Sequence, residues 1–401
     1  AYGRVQTIEA SPHSAGRAYV AVYRYLLGDF KPYIYRTEDF GATWTLLTDG
    51  KNGIPTDFPT RVIREDPERP GLLYAGTEFG MFISIDDGAS WHSFQQNLPV
   101  TPVTDIKLVQ KDLVLSTMGR GFWIIDDISP LHQIEIQSDV AWLFQPRTAY
   151  RYRYRSTTED AIPQYPGPGM EIYYHLAEAP KDGLKLEIYN EAGEIVQIFD
   201  SREPKESSER ETDMQTGFGY KTSAVKLSTE PGTHRIKWNL RHKGIEGRSD
   251  RDVPGPLVVP GKYRIQLVHG RHIRMTQASV ELDPRLIKAG LTQEDLELQE
   301  ELSLELLNLR LEANKLAHWV EKQEKKEDAD EGGKWVEVKE RLLTREGRYQ
   351  QPMLLAQMSY LYSMLNQADQ RPGKDAIVQL AAIQAELEAL KKLAETPGQM
   401  D

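Results

Sequence analysis

Two acidic residues in a repeated frame are the first candidates for chemistry in this sequence. Thr37-x-Asp39-x-Gly41-x-Thr43-Trp44 returns 47 positions later as Ser84-x-Asp86-x-Gly88-x-Ser90-Trp91. An Asp placed this way could take part in catalysis or hold Ca²⁺. A local role competes with that: the carboxylate accepts backbone N–H groups across a tight turn. The glycine would then take a positive φ, and the Trp would pack the hairpin against its own sheet. The local role is favoured, so these Asp residues mark the fold and not the site. Other chemical signatures are missing. There is no HExxH, no Gly-x-Ser-x-Gly and no phosphate loop. Cys is absent, which removes disulfides, thiolate nucleophiles and Cys-ligated zinc. The nine His are scattered, and His13, His92 and His132 read as ordinary polar residues. No metal and no cofactor is expected.

The elements that must position any site fall into three textures. Residues 1–130 are short β-runs broken by Gly, Pro and Asp: Arg17–Tyr23, Leu72–Gly76 and Leu113–Thr117 are examples. Gly16-Arg17-Ala18-Tyr19 matches Gly71-Leu72-Leu73-Tyr74 at an offset of 55, and the extra length lies in the loop Leu26–Pro32. A third copy aligns Gly121–Asp127 with Gly80–Asp86 but lacks the Gly-x-Ser-Trp ending. A period of this size is the spacing of four-stranded β-propeller blades, roughly 40–50 residues each. Residues 3–48 and 60–95 each supply four strands, and 103–127 supply three. A closed ring needs at least about four blades, and an open fan would leave strand edges exposed. The expectation is that an N-terminal remainder of the polypeptide, or a companion chain, completes the ring and donates the third sheet's outer strand.

The repeated motif resembles the Asp-box, or BNR, repeat of sialidases, sortilin-type receptors, xyloglucanase-type hydrolases and large exported bacterial proteins. Ser11-Pro12-His13, Arg64-Glu65-Asp66-Pro67, Gly71–Glu78, Asn97–Val103 and Gly119–Asp127 occur in the order seen in the last blades of those exported proteins, often labelled sortilin-like or "glycosyl hydrolase". Where that family usually has His before Gly-Arg, this chain has Met118. The resemblance implies a secreted, periplasmic or cell-surface location.

Propeller geometry gathers Arg24–Lys31, Gly53–Pro59, Thr77–Phe79, Leu98–Pro102 and Met118–Arg120 on one face. The candidate ligand-binding residues there are Arg24, Tyr25, Asp29, Phe30, Phe58 and Arg120, a mixture suited to a peptide or glycan. Asp57 and Glu78 are the candidate catalytic carboxylates of a rival, sialidase- or xyloglucanase-like hydrolase, whose acid/base pair would stand about 5–9.5 Å apart. The bland alternative is that Glu78 and Arg120 make polar contacts between blades.

Residues 131–165 read as a linker with one connecting strand. From 166 to 284, period-2 alternation such as Leu184, Leu186 and Ile188 predicts an immunoglobulin- or fibronectin-III-like sandwich. Ser201–Gln215 and Arg241–Gly261 read as solvated loops. Residues 289–401 carry apolar stripes of helical period: Leu302, Leu306, Leu309, Ala313, Leu316 and Val320 in one helix, then Trp335, Val338 and Leu342. Leu354 to Leu365 follow behind Pro352, and Ile377 to Leu390 behind Pro372, as an antiparallel helical bundle.

Charge narrows the partners. The chain of 401 residues has 49 Lys+Arg against 60 Asp+Glu, a net of −11. Fourteen basic against 22 acidic side chains lie beyond residue 288, where they coat helices. Nucleic acid, which is bound chiefly by neutralising phosphates, is excluded as a partner, and no apolar run reaches the roughly 18 residues of a membrane span. The leading functional expectation is an exported, non-catalytic binding or scaffold protein.

Overall fold

The computed structural model describes residues 2–134, 141–153, 167–202, 220–221, 225–248, 252–324 and 333–394. The protein is mainly β with a C-terminal helical region. It divides into two compact units, Ala1–Ile136 and Gln137–Asp401.

The first unit contains three antiparallel meanders. Strands β1 (Arg4–Ala10), β2 (Ala18–Tyr23), β3 (Ile34–Thr37) and β4 (Thr45–Leu46) pair in chain order. Strands β5 (Thr60–Glu65), β6 (Leu73–Thr77), β7 (Gly80–Ser84) and β8 (His92–Ser93) repeat the pattern. Strands β9 (Val103–Val109), β10 (Asp112–Thr117) and β11 (Phe122–Ile125) form a three-stranded sheet. Register confirms the repeat offsets, since Ile8 pairs with Val20 as Ile63 pairs with Ala75. The two faces of each strand go to different neighbours, as period-2 alternation requires. Tyr19, Ala21 and Ile34 of the first sheet share a core with Ile63, Leu73, Ala75, Phe82 and Trp91 of the second. The second sheet's other face, Val62, Tyr74, Met81 and Ile83, packs on Val103, Ile106, Leu113 and Leu115 of the third. The middle sheet is therefore buried on both sides, and β6 and β7 have no exposed residue.

In the second unit, two sheets enclose one apolar core. One is β12 (Ala141–Leu143), β14 (Met170–Leu176) and β18 (Gly232–Trp238), in the order β12-β14-β18. The other runs β13 (Ala149–Arg151), β21 (His272–Leu282), β20 (Gly261–His269), β15 (Leu184–Tyr189), β16 (Ile195–Asp200). The alternation in β15 is realised, with Leu184, Leu186 and Ile188 buried. Residues 141–151, expected to connect, instead supply β12 and β13, because Ala141, Leu143 and Ala149 alternate inward and join that core. Tyr154 and the rest of the expected linker up to 166 lie outside the described residues, as do 203–215 of the expected Ser201–Gln215 loop.

The helices are α2 (Pro284–Lys288), α3 (Gln293–Glu324), α4 (Lys334–Leu342), α5 (Leu354–Asn366) and α6 (Lys374–Ala394), preceded in the first unit by the short α1 (Ser129–His132). The stripes on α3, α4 and α5 are buried together in one cluster. Ile377 is exposed, so the α6 stripe begins at Leu380. Pro352 stands two residues before α5 and not in its first turn. Arg241–Gly261 is not simply solvated: Ile245 and Val253 join the helical core, and Leu257 and Val258 join the sandwich core. A buried ion pair fastens the last helices to the sheets. Arg151 Nη2 stands 2.9 Å from Asp369 Oδ1 and 2.9 Å from Gln299 Oε1, and its Nη1 donates to the Val258 carbonyl at 2.7 Å.

Candidate functional site

In the first unit, meander topology sends alternate connections to opposite ends. Residues 24–33, 78–79 and 118–121, with the inter-sheet segments 55–59 and 94–102, lie at one end of the strands, while Asp49–Gly53 run along the second sheet to its Asp86–Trp91 turn. The two repeated turns, Thr37–Trp44 and Ser84–Trp91, lie at the other end.

The two boxes are geometric copies. The Thr43 backbone N and hydroxyl donate to Asp39 at 2.8 and 2.7 Å, and the Thr37 hydroxyl donates to it at 2.8 Å. Asp86 accepts the Ser90 N at 2.9 Å, the Ser90 hydroxyl at 2.5 Å and the Ser84 hydroxyl at 2.8 Å. Gly41 and Gly88, at φ of 90° and 85°, donate to Thr37 and Ser84 at 2.9 and 2.8 Å. Donation from Thr43 holds the Asp39 carboxyl below the usual range. For Asp86 burial pulls the other way, and the bonds from Ser90 and Ser84 outweigh it. Every oxygen of Asp39 and Asp86 accepts a hydrogen bond within its own turn. The Trp residues depart from expectation. Trp91 packs across onto the first sheet, its Nε1 donating to the Leu47 carbonyl at 3.1 Å, in a core with Leu47 and Ile54. Trp44 instead donates to Gly41 of its own turn at 3.1 Å and remains exposed.

At the loop end the residues form two polar knots and an aromatic step. Asp29 Oδ2 accepts from Arg24 Nε at 2.8 Å and from the Tyr33 hydroxyl at 2.8 Å. Slight burial would raise the Asp29 carboxyl, but donation from Tyr33, the Lys31 N and Arg24 keeps it low, so it is an anion. The Arg24 guanidinium lies 5.7 Å from the Tyr33 ring centre. In the second knot Glu78 accepts from Arg61 Nε at 2.5 Å and from the Tyr23 hydroxyl of the first sheet. Burial and the Glu78 carboxylate together push the Tyr23 phenol well up, keeping it a proton-bearing donor. Tyr25 packs against Tyr23 with ring centres 4.2 Å apart and the ring planes tilted by 55°. Phe58 lies 4.8 Å from Phe79 and 5.9 Å from Phe82.

The structure thus joins Arg24 with Asp29, and Tyr25 with Glu78 through Tyr23. Phe30, Asp57 and Arg120 are exposed, and none of their side chains makes a hydrogen bond or ring contact among the described residues. Glu78 bridges two sheets; Arg120 does not. No group of three His or acidic residues among the described residues could hold a metal ion. Sequence reasoning missed Tyr23, Tyr33 and Arg61, the groups that fix Asp29 and Glu78. It also missed Asp66, fully buried, which accepts from Tyr74 at 3.0 Å and lies 2.9 Å from His132 Nε2. His132 stands 66 residues from Asp66, and nothing local signals that pair.

No helix among the described residues is long and apolar enough to cross a membrane. No family model matches the chain, and no curated protein matches it. Among solved structures, a GH74 enzyme of Niastella koreensis is 12% identical over 69% of this chain and 46% of its own length, with a TM-score of 0.26. PorZ, a bacterial surface component of the type-IX secretion system of Porphyromonas gingivalis, is 13% identical over 69% of this chain and 30% of its own, with a TM-score of 0.26. The extracellular domain of the putative one-component system BT4673 from B. thetaiotaomicron is 10% identical, over 69% and 31%, at 0.23. The chain spans less than half the length of each of these structures.

Proposed function

We propose that residues 4–125 are three consecutive blades of a β-propeller in an exported protein that binds a peptide or glycan, or scaffolds a cell-surface assembly, through the loop end. The 166–284 sandwich and the 289–401 helices would act as docking elements, and the ring would be completed by polypeptide beyond these residues. The stacking of successive meanders with copied turns at one end supports this reading, with Arg24, Tyr25, Phe30, Phe58 and Arg120 on loops at the other end. Exposed aromatics beside guanidinium groups suit sugar rings, carboxylates and peptide backbone.

The rival, a glycoside hydrolase, draws on one observation: Asp57 is an exposed, unbonded carboxylate next to Phe58. One experiment separates the two. The complete protein is titrated with cello- and xylogluco-oligosaccharides, sialyllactose and unstructured peptides, and reducing-sugar release is followed alongside binding. Arg24→Ala with Phe30→Ala should weaken binding at least about tenfold, the loss of about 1.4 kcal/mol, while Asp39→Asn leaves it unchanged. Turnover that Asp57→Ala abolishes would establish the hydrolase instead. An Arg24/Phe30 variant binding as tightly as the parent would end the loop-face reading.

A further inference from the structure

The β5–β8 sheet, covered on both faces, is a template for what each sheet of this repeat requires. Its face toward β1–β4 carries Ile63, Ala75, Phe82 and Trp91. The matching positions on β1–β4 are Ile8, Val20, Tyr35 and Trp44, by the repeat offsets and by strand register. Ile63 is 0% exposed and Ile8 is 69%; Trp91 is 3% exposed and Trp44 is 45%. Glycines tell the same story. A Cβ on Gly88 would lie 2.8 Å from Leu47 Cδ1 of the preceding sheet, whereas one on Gly41 would meet only its own Trp44, at 3.6 Å. The uncovered face is a shallow apolar groove of about 720 Å³ between Val5, Ile8, Val20, Phe40 and Trp44.

The opposite end of the stack shows the complementary deficit. Met81 and Ile83, 0% and 6% exposed, are covered by the β9–β11 sheet. Their counterparts on that sheet, Phe122 and Ile124, are 79% and 57% exposed. The same sheet has three strands where its neighbours have four, so β11 has no partner on its outer edge among the described residues. Contiguous apolar surface of this kind on an otherwise charged chain marks an interface, and an unpaired edge strand accepts another strand.

We infer that both end faces of the three-sheet stack are interfaces, each covered by a further sheet of the same Asp-box repeat borne by polypeptide outside residues 1–401. The sheet seated on Ile8 and Trp44 presents apolar side chains at the positions of Met81 and Ile83. The sheet seated on Phe122 and Ile124 presents those of Ile63, Phe82 and Trp91, and that polypeptide adds the missing strand beside β11. A second copy of this chain fits less well: its described strands already belong to its own sheets and leave the β11 edge open. The inference rests on reading the meanders as successive blades, and it names the partner that the reading requires.

Residues 1–401 contain no Cys, so a thiol introduced there is the only one within them and its labelling is assigned by peptide mass. Ile8→Cys, Ile124→Cys and the exposed loop control Val100→Cys are made singly in the protein as its native cell produces it, and in residues 1–401 alone. Maleimide labelling is followed by mass. In the native protein Ile8→Cys and Ile124→Cys should react about 100-fold more slowly than Val100→Cys, the ratio set by a local opening of about 2.8 kcal/mol. In residues 1–401 alone all three should react at similar rates. Equal rates in the native protein overturn the inference. So does protection in residues 1–401 that grows with concentration alongside a dimer mass, which would make the occupant a second copy. Protected cysteines with no loop-face binding would defeat the proposed function and leave this inference standing; reactive cysteines with intact binding would do the reverse.

Discussion

Trp44 and Trp91 occupy the same position in successive repeats, yet their environments predict very different consequences of truncation in residues 1–401. Trp91 is buried in the core between two sheets, with its Nε1 on the Leu47 carbonyl. A buried Trp removes about 150–250 Å² from water, which at about 25 cal/mol/Å² sets an upper bound near 4–6 kcal/mol. Measured Trp→Ala losses in cores run to about 3–5 kcal/mol, and leaving the Leu47 carbonyl unpaired in a buried setting adds about 1 kcal/mol. Trp91→Ala should therefore cost about 4–5 kcal/mol. Trp44 lies over its own turn with nearly half its surface in water, so on the same scale Trp44→Ala should cost at most about 2–3 kcal/mol. Urea unfolding of the isolated chain, followed by far-UV circular dichroism, measures the difference. With a slope of about 1.5 kcal/mol/M, the transition of the Ala1–Ile136 unit should move down by roughly 3 M for Trp91→Ala and by no more than about 2 M for Trp44→Ala. Equal shifts would refute the claim that this Trp acts across sheets and not within its own hairpin.

Four further outcomes follow from the same structure. Gly53 sits at φ 120°, and a Cβ there would lie 1.8 Å from the Trp91 carbonyl oxygen; Gly53→Ala should lower the urea midpoint of the first unit by the equivalent of about 3 kcal/mol or more. Gly193→Ala, at φ 83° with open space around it, should cost only about 1 kcal/mol. Asp39 and Asp86 have carboxyls depressed in the folded state, so their contribution is present above the ordinary Asp value near about 3.9 and is lost as pH falls below it. Asp39→Asn with Asp86→Asn should flatten the acid limb of thermal stability between pH ~4 and ~2 without changing its shape above pH ~6. Asp369→Asn would leave the buried Arg151 guanidinium without its counter-charge, a change expected to cost about 3–5 kcal/mol in the unfolding of the Gln137–Asp401 unit.

What was legible in the sequence was whatever local geometry writes. The Asp-box turn is closed by bonds spanning four residues or fewer, so its residue types sit side by side in the chain. The alternation of β15 and the seam of α3 are likewise periodic and close in sequence. Contacts set by the stacking of elements were not legible. The partners that occupy Glu78 lie 17 and 55 residues away, and Tyr23 looks like any strand tyrosine until two sheets are laid together. The three-residue strands β12 and β13 carry too short an alternation to distinguish from a linker. Ile245 and Val253 were hidden among Arg, Gly and Pro, because their burial depends on helices that follow much later in the chain.

Polar groups at the joints between the first three sheets bear on where catalysis could reside. The joint between the first two sheets is apolar in its middle and closed at each end by charged or phenolic groups. Arg36 reaches Asp87 at 2.5 Å and the Tyr19 hydroxyl reaches it at 2.9 Å at the Asp-box end, while Tyr23 and Arg61 clasp Glu78 at the loop end. Arg64 makes the same kind of bridge to the third sheet, through Asp105 at 2.5 Å and the Ile106 carbonyl at 2.9 Å. An apolar joint alone has little preference for one sliding position over the next, whereas directional bonds at its two ends fix the register of sheet on sheet. Glu78 belongs to this set, so replacing it perturbs the alignment of two sheets and with it the loops they carry. Loss of activity in a Glu78 variant would therefore report on geometry as much as on proton transfer. Asp57, which clasps nothing among the described residues, is the carboxylate whose substitution tests chemistry alone.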